Sequence, residues 1–133
     1  MFNQSRVAAM LPAQDLERAK AFYRDKLGLT PTQEMAGGLL YVMAGGTGFS
    51  VFLSGGKSPG SYTQLYVEVS DLEQVVKDLK ARGVKLEEYD TPMLKTVAGI
   101  ANVGGSKAAW LKDSEGNLIG IGPPVSVSAQ PRA

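Results

Sequence analysis

Asp15-Leu16-Glu17-Arg18-Ala19-Lys20-Ala21-Phe22-Tyr23-Arg24-Asp25-Lys26-Leu27-Gly28 is the stretch that decides the fold, because its opening returns fifty-six residues later as Asp71-Leu72-Glu73-Gln74. Each copy follows a short alternating apolar run. Each aspartate is a helix N-cap whose carboxylate accepts the orphan amides of the first turn. Leu16, Ala19, Phe22, Tyr23 and Leu27 fall on one helical stripe, as do Leu72, Val75, Val76 and Leu79. Gly28 and Gly83 supply the left-handed stop. The chain therefore reads as two copies of one module, and two such modules side by side are expected to make a cleft with matched walls.

Working outward, Arg6 to Leu11 reads as a strand ended by Pro12, with Val7, Ala9 and Leu11 on one face. Thr30–Met35 and Leu39–Ala44 read as a hairpin turned at Gly37-Gly38, and Phe49–Leu53 as a further strand. Gly55 to Gly60 reads as the linker between halves. In the second copy Gln64–Val69, Val84–Glu88, Ala108–Lys112 and Leu118–Gly122 read as strands, the last two joined by the turn Asp113-Ser114-Glu115-Gly116. Tyr89 to Lys107 reads as a long irregular connection, either a lid over the ligand or a static surface loop. These elements predict one domain over residues 1–122, made of modules at about 5–55 and 61–122, with a flexible tail at 123–133. The expected class is α+β, two βαβββ modules forming an open eight-stranded barrel-like sheet with helices on one face and a concave cleft on the other.

Composition narrows the chemistry. Fourteen Lys and Arg against thirteen Asp and Glu leave a net charge of +1, with no basic block, which argues against nucleic acid or an anionic membrane as partner. No apolar run reaches the roughly 20 residues that span a bilayer, and no export segment opens the chain, so a cytoplasmic protein is expected. Cysteine and histidine are both absent. Thiol catalysis is thereby excluded, and so is the commonest general base and metal ligand. Gly45-Gly46-Thr47-Gly48 and Gly55-Gly56-Lys57-Ser58 are glycine-rich, but the spacing and following helix of a phosphate loop are missing.

The run Asp15 to Gly28, together with Asp113-Ser114-Glu115-Gly116-Asn117, resembles the vicinal oxygen chelate superfamily, which includes glyoxalase I, extradiol dioxygenases and bleomycin-resistance proteins. The first run is similar to that group's "D-L-x-x-x-x-x-F-Y-x-x-x-L-G" helix and the second to its "D-x-x-G-N" turn. The resemblance spans Arg6 to Gly122. It implies four metal-ligand positions on the concave strands, which fall here on Ala8, Phe52, Gln64 and Gly120. Methyl, phenyl, amide and hydrogen stand where imidazole and carboxylate are wanted, so no metal and no other cofactor is expected. The resemblance also implies a homodimer.

Alternation carried from those positions puts Arg6, Met10, Ser50, Ser54, Tyr66, Glu68 and Leu118 on the same concave face, with Tyr41 and Trp110 as further candidates. The expected ligand-binding residues are Met10, Tyr41, Phe52, Gln64, Tyr66 and Trp110, with the aromatics stacking on a small organic molecule and Gln64 orienting it. The same aromatics would also serve as plain packing. Glu68 is the one weak catalytic candidate. The leading expectation is a metal-free small-molecule binder. The alternatives are an enzyme of the lyase, isomerase or dioxygenase class using a carboxylate, a tyrosine or an unrecognised metal site, and a protein-interaction module using the concave face.

Overall fold

A computed structural model describes residues 1–125. The chain order is β1 (Ala9–Ala13), α1 (Leu16–Leu27), β2 (Gln33–Met35), β3 (Gly38–Val42), β4 (Gly48–Leu53), β5 (Thr63–Glu68), α2 (Leu72–Ala81), β6 (Thr96–Val97), β7 (Ile100–Val103), β8 (Ser106–Lys112) and β9 (Leu118–Gly122). Both helices start as their sequences dictate: Asp15 accepts from the Arg18 amide at 3.0 Å and Asp71 from the Gln74 amide at 3.1 Å. Gly28 closes α1 at φ 69°. The class is α+β and the module is paired. The strands among the described residues number nine rather than eight, in a four-stranded sheet β1-β4-β3-β2 and a five-stranded sheet β5-β9-β8-β7-β6, and the sheets do not close into a barrel.

The chain folds as two compact units, one of residues 1–65 with 112–118, the other of 66–111 with 119 onward. In the first unit β1 pairs parallel with β4, and β4 antiparallel with β3. Pro12 sits inside β1 instead of ending it, which the edge position allows, since an edge strand leaves one row of amides unused. Leu11, Ala13, Leu39, Tyr41, Phe49 and Val51 are buried on the face that receives Ala19 and Tyr23 of α1. The Tyr41 and Phe49 rings stack at 4.9 Å, and Tyr23 leans on both at 5.3 and 5.6 Å.

The turn Asp113–Asn117 belongs to this first unit and ties it together. Asp113 accepts from the Tyr23 hydroxyl at 2.7 Å and from the Asn117 side-chain amide at 2.8 Å. Asn117 also donates to the Pro12 carbonyl at 2.9 Å. Glu115, its side chain 1% exposed, accepts from Arg18 Nε at 2.7 Å and from the Gln14 and Asp15 amides at 3.0 and 3.2 Å. A second-copy turn thus caps the first-copy helix. Within the 55–60 stretch only Ser58 and Gly60 are buried, and a Cβ on Gly60 would stand 2.7 Å from the Gly116 carbonyl oxygen.

In the second unit α2 buries Leu72, Val76 and Leu79, and the core is completed by Leu86, Ala109, Leu111, Ile119 and Ile121. Two expectations need correction here. Val84–Glu88 forms no strand, only a single bridge from Leu86 to Leu111. The 89–107 connection is not irregular: it holds the β6–β7–β8 ribbon. Its turns are Ala98-Gly99 (φ 53° and 84°) and Gly104-Gly105 (φ 58° and 86°), both with the paired positive φ that two-residue hairpins use. Glu88 pins the first by accepting from the Gly99 amide at 3.0 Å. Of the expected tail, Pro123 accepts from the Tyr66 hydroxyl at 2.7 Å and the Val125 amide donates to Glu68 at 3.0 Å, while 126–133 lie outside the described residues.

Candidate functional site

The face of the four-stranded sheet away from α1 is an open apolar surface of the first unit. Its rows follow from register. Met10, Ser50, Leu40 and Gln33 lie side by side, as do Pro12, Phe52, Gly38 and Met35. Met10 is 55% exposed, Met35 49% and Val42 54%, with Phe52 and Leu40 half-buried between them. Two flexible thioethers flanking a phenyl ring make a surface that adapts to an apolar partner.

This face runs into a groove of about 400 Å³. Leu40, Val42, Gly48 and Ser50 line it from the sheet, Arg6 to Ala8 from the run into β1, and Gly46-Thr47 from the β3–β4 connection. Gly48 cannot be replaced without moving the backbone, because a Cβ there would lie 2.5 Å from the Tyr41 carbonyl oxygen. The volume falls within the range of small-molecule sites.

The expected site residues divide between the units. Ala8, Met10 and Phe52 lie on the outward face and groove of the first unit, as alternation predicts. Tyr41 does not join them with its ring: at 1% exposure it is packed under α1. Its buried hydroxyl has no hydrogen-bond partner among the described residues, and burial, with Glu34 adding, pushes its pKa to about 12. Gln64 is committed to the fold. Its side-chain oxygen accepts from the Ser58 hydroxyl at 2.5 Å and the Leu118 amide at 3.2 Å, and its amide donates to Asn117 at 3.1 Å. In the second unit Trp110 meets Tyr89 edge-on at 5.7 Å. Tyr66 packs against Gly122, where any side chain would collide with its hydroxyl, and burial, followed by Glu68, raises its pKa. Glu68 faces the Val125 amide and Gly120 is buried within β9. Leu40 and Met35, absent from the sequence expectation, belong to the first unit's surface. For Leu40 the signal was the turn position: the hairpin turns at Ala36-Gly37, which sends Leu39 and Tyr41 inward and Leu40 outward.

A transition metal does not fit these residues. The side chains of Ala8, Phe52 and Gly120 bring no donor atom, and the one side-chain amide oxygen, on Gln64, already accepts two hydrogen bonds. Among the described residues no group of three or more His, Cys, Asp or Glu is gathered elsewhere. No described helix is long and apolar enough to cross a membrane.

The family model of the Glyoxalase/Bleomycin resistance protein/Dioxygenase superfamily matches residues 6–121. The chain belongs to that superfamily. Its fold is similar to a bleomycin resistance determinant encoded on transposon Tn5, with TM-score 0.70, 22% identity and coverage of 92% of this chain and 99% of that one. A bleomycin-binding protein complexed with bleomycin gives TM-score 0.69 and 21% identity over 91% and 99% of the two chains. The genomically encoded fosfomycin resistance protein FosX of Listeria monocytogenes gives TM-score 0.68 at 12% identity over 97% and 98%. No curated protein sequence matches. At these identities the superfamily likeness to solved structures speaks for the fold.

Proposed function

We propose that this superfamily member binds a small organic molecule without a metal, on the outward face and groove of its four-stranded sheet. The observation that carries the reading is the apolar set of exposed Met10, Met35 and Val42 with half-buried Leu40 and Phe52, running into a groove of suitable volume. A monomeric soluble protein normally leaves such side chains scattered rather than contiguous. Likeness in fold to a bleomycin-binding protein supports a ligand-holding role, and the donor-poor positions support the absence of a metal. Tyr66 and Trp110 remain ligand-contact proposals on the second unit's own sheet. Burying about 300 Å² of apolar ligand against a matching surface gains roughly 15 kcal/mol gross at ~25 cal/mol per Å². Association costs of about 5–10 kcal/mol then leave about 5–10 kcal/mol, an affinity between roughly 0.2 mM and 50 nM. A second copy of the chain as partner is part of the same reading, and sedimentation showing only monomer removes it.

The test is a saturation-transfer NMR screen of chemically diverse aromatic and alicyclic compounds, with elemental analysis of the same sample. Hits are expected, weakened several-fold by Phe52→Ala and Met10→Ala with folding retained. A flat response across the library, or stoichiometric zinc, iron, nickel or manganese, overturns the proposal.

A further inference from the structure

The groove carries more chemical information than its shape. Of the side chains lining it, only Arg6 is charged at neutral pH. No aspartate or glutamate is among them. The guanidinium makes one long hydrogen bond, 3.4 Å to the Gly46 carbonyl oxygen, and among the described residues no carboxylate stands within ion-pair distance of it. That contact engages one terminal nitrogen and leaves most of the five N–H donors of an arginine unused. Ser50, on the sheet side of the groove, has a hydroxyl with no hydrogen-bond partner among the described residues. The remaining lining is Val7, Ala8, Leu40, Tyr41, Val42, Phe49 and glycine backbone, with Thr47, whose hydroxyl donates to the Ala44 carbonyl at 2.6 Å. An uncompensated planar cation and a free hydroxyl on the wall of one groove, with a largely apolar floor between, match one ligand chemistry: an apolar body ending in an oxyanion, which a guanidinium grips in bidentate fashion.

We propose that the groove takes an organic anion, a hydrophobic carboxylate or a group of like charge and shape, with Arg6 as its counter-charge, Ser50 as a second donor, and Leu40 and the bare backbone at Gly48 under its apolar part. This rests on the small-molecule reading above and specifies its ligand class. Because Arg6 is exposed, its pairing with the ligand is screened by salt, and the preference for anions should shrink as ionic strength rises.

The experiment compares three probes of one shape on the full-length protein at low ionic strength: biphenyl-4-carboxylate, its neutral primary amide, and 4-biphenylmethylammonium. Affinities are read by ligand-observed NMR titration. The carboxylate is expected to bind roughly 3- to 10-fold more tightly than the amide, and the ammonium more weakly than either. Arg6→Gln should bring the carboxylate down to the level of the amide and leave the amide unmoved, with an unchanged urea midpoint showing that the fold is intact. Ser50→Ala should weaken the carboxylate by a smaller factor. Equal binding of carboxylate and amide, tightest binding of the ammonium, or an Arg6→Gln loss shared equally by both probes would overturn the anion assignment while the small-molecule reading stands. Absence of binding by all three, together with a flat library screen, would remove both.

Discussion

Glu115 concentrates more of the first unit's polar order than any other side chain. The Arg18 guanidinium, hydrogen-bonded to it, holds its carboxyl down from 4.5 to about 2, with Ser114 and the Asp15 and Gln14 amides acting in the same direction against the cost of burial. A carboxyl depressed in the folded state stabilises the fold at pH above its unfolded value, and that contribution is lost as pH falls through the folded one. The contribution of Glu115 is therefore complete above about pH 4.5 and declines toward pH 2. Glu115→Gln should cost about 1–3 kcal/mol at neutral pH, because two backbone amides and an arginine lose their charged acceptor. The gap between the urea midpoints of wild type and variant should narrow between pH 4.5 and 2. A gap that stays constant across that window would mean that Glu115 acts through packing alone. Tyr23 belongs to the same order: burial, then Asp113, raises its pKa well above the usual phenol value, so it donates as a neutral hydroxyl throughout the working range.

At the scale of elements, glycines decide where the chain can close. Gly60, at φ 67°, lies against the Gly116 carbonyl oxygen and the Lys112 side chain. Gly60→Ala adds a methyl to a backbone conformation that disfavours it and to space that does not exist, and should lower stability by about 1–3 kcal/mol. Gly55→Ala, with nothing within 4 Å of its Cβ, serves as the control and should leave the urea midpoint nearly unchanged. The elements most legible in the sequence were the two helices, because capping chemistry is local: Asp15 and Asp71 each need only the amide three residues on. The β6–β7 hairpin was not legible, since its turn places Ala98, a residue that rarely does so, at positive φ. On the candidate site, Ala8, Met10 and Phe52 were legible because alternation carries a face along a strand once one residue is placed. Leu40 was not, because a hairpin turn displaced by one residue reverses the face of every side chain after it. The engagement of Gln64 was hidden for another reason. Its partner Asn117 lies fifty-three residues away, and no local pattern reports such a tie.

At the scale of the whole molecule, the repeat in the sequence and the compact units in space do not share their boundaries. The chain leaves the first unit after residue 65, returns to it at 112 and leaves again after 118. A fragment of residues 1–65 would carry every strand of the four-stranded sheet and all of α1, yet lack the groups that pair with Tyr23, Arg18 and the Pro12 carbonyl. It should show no cooperative unfolding by circular dichroism on its own. Adding the peptide 110–120 should restore some of the signal in proportion to concentration. A fragment that melts sharply without the peptide would show that the turn is dispensable.

The lodging of one copy's Asp113–Asn117 turn in the other copy's unit separates two kinds of change. Residues that clasp the turn answer to one another across the length of the gene and can drift only in concert. Met10, Met35, Leu40 and Phe52 stand outside that clasp, so the outward face can change its composition while the frame that shapes it stays still.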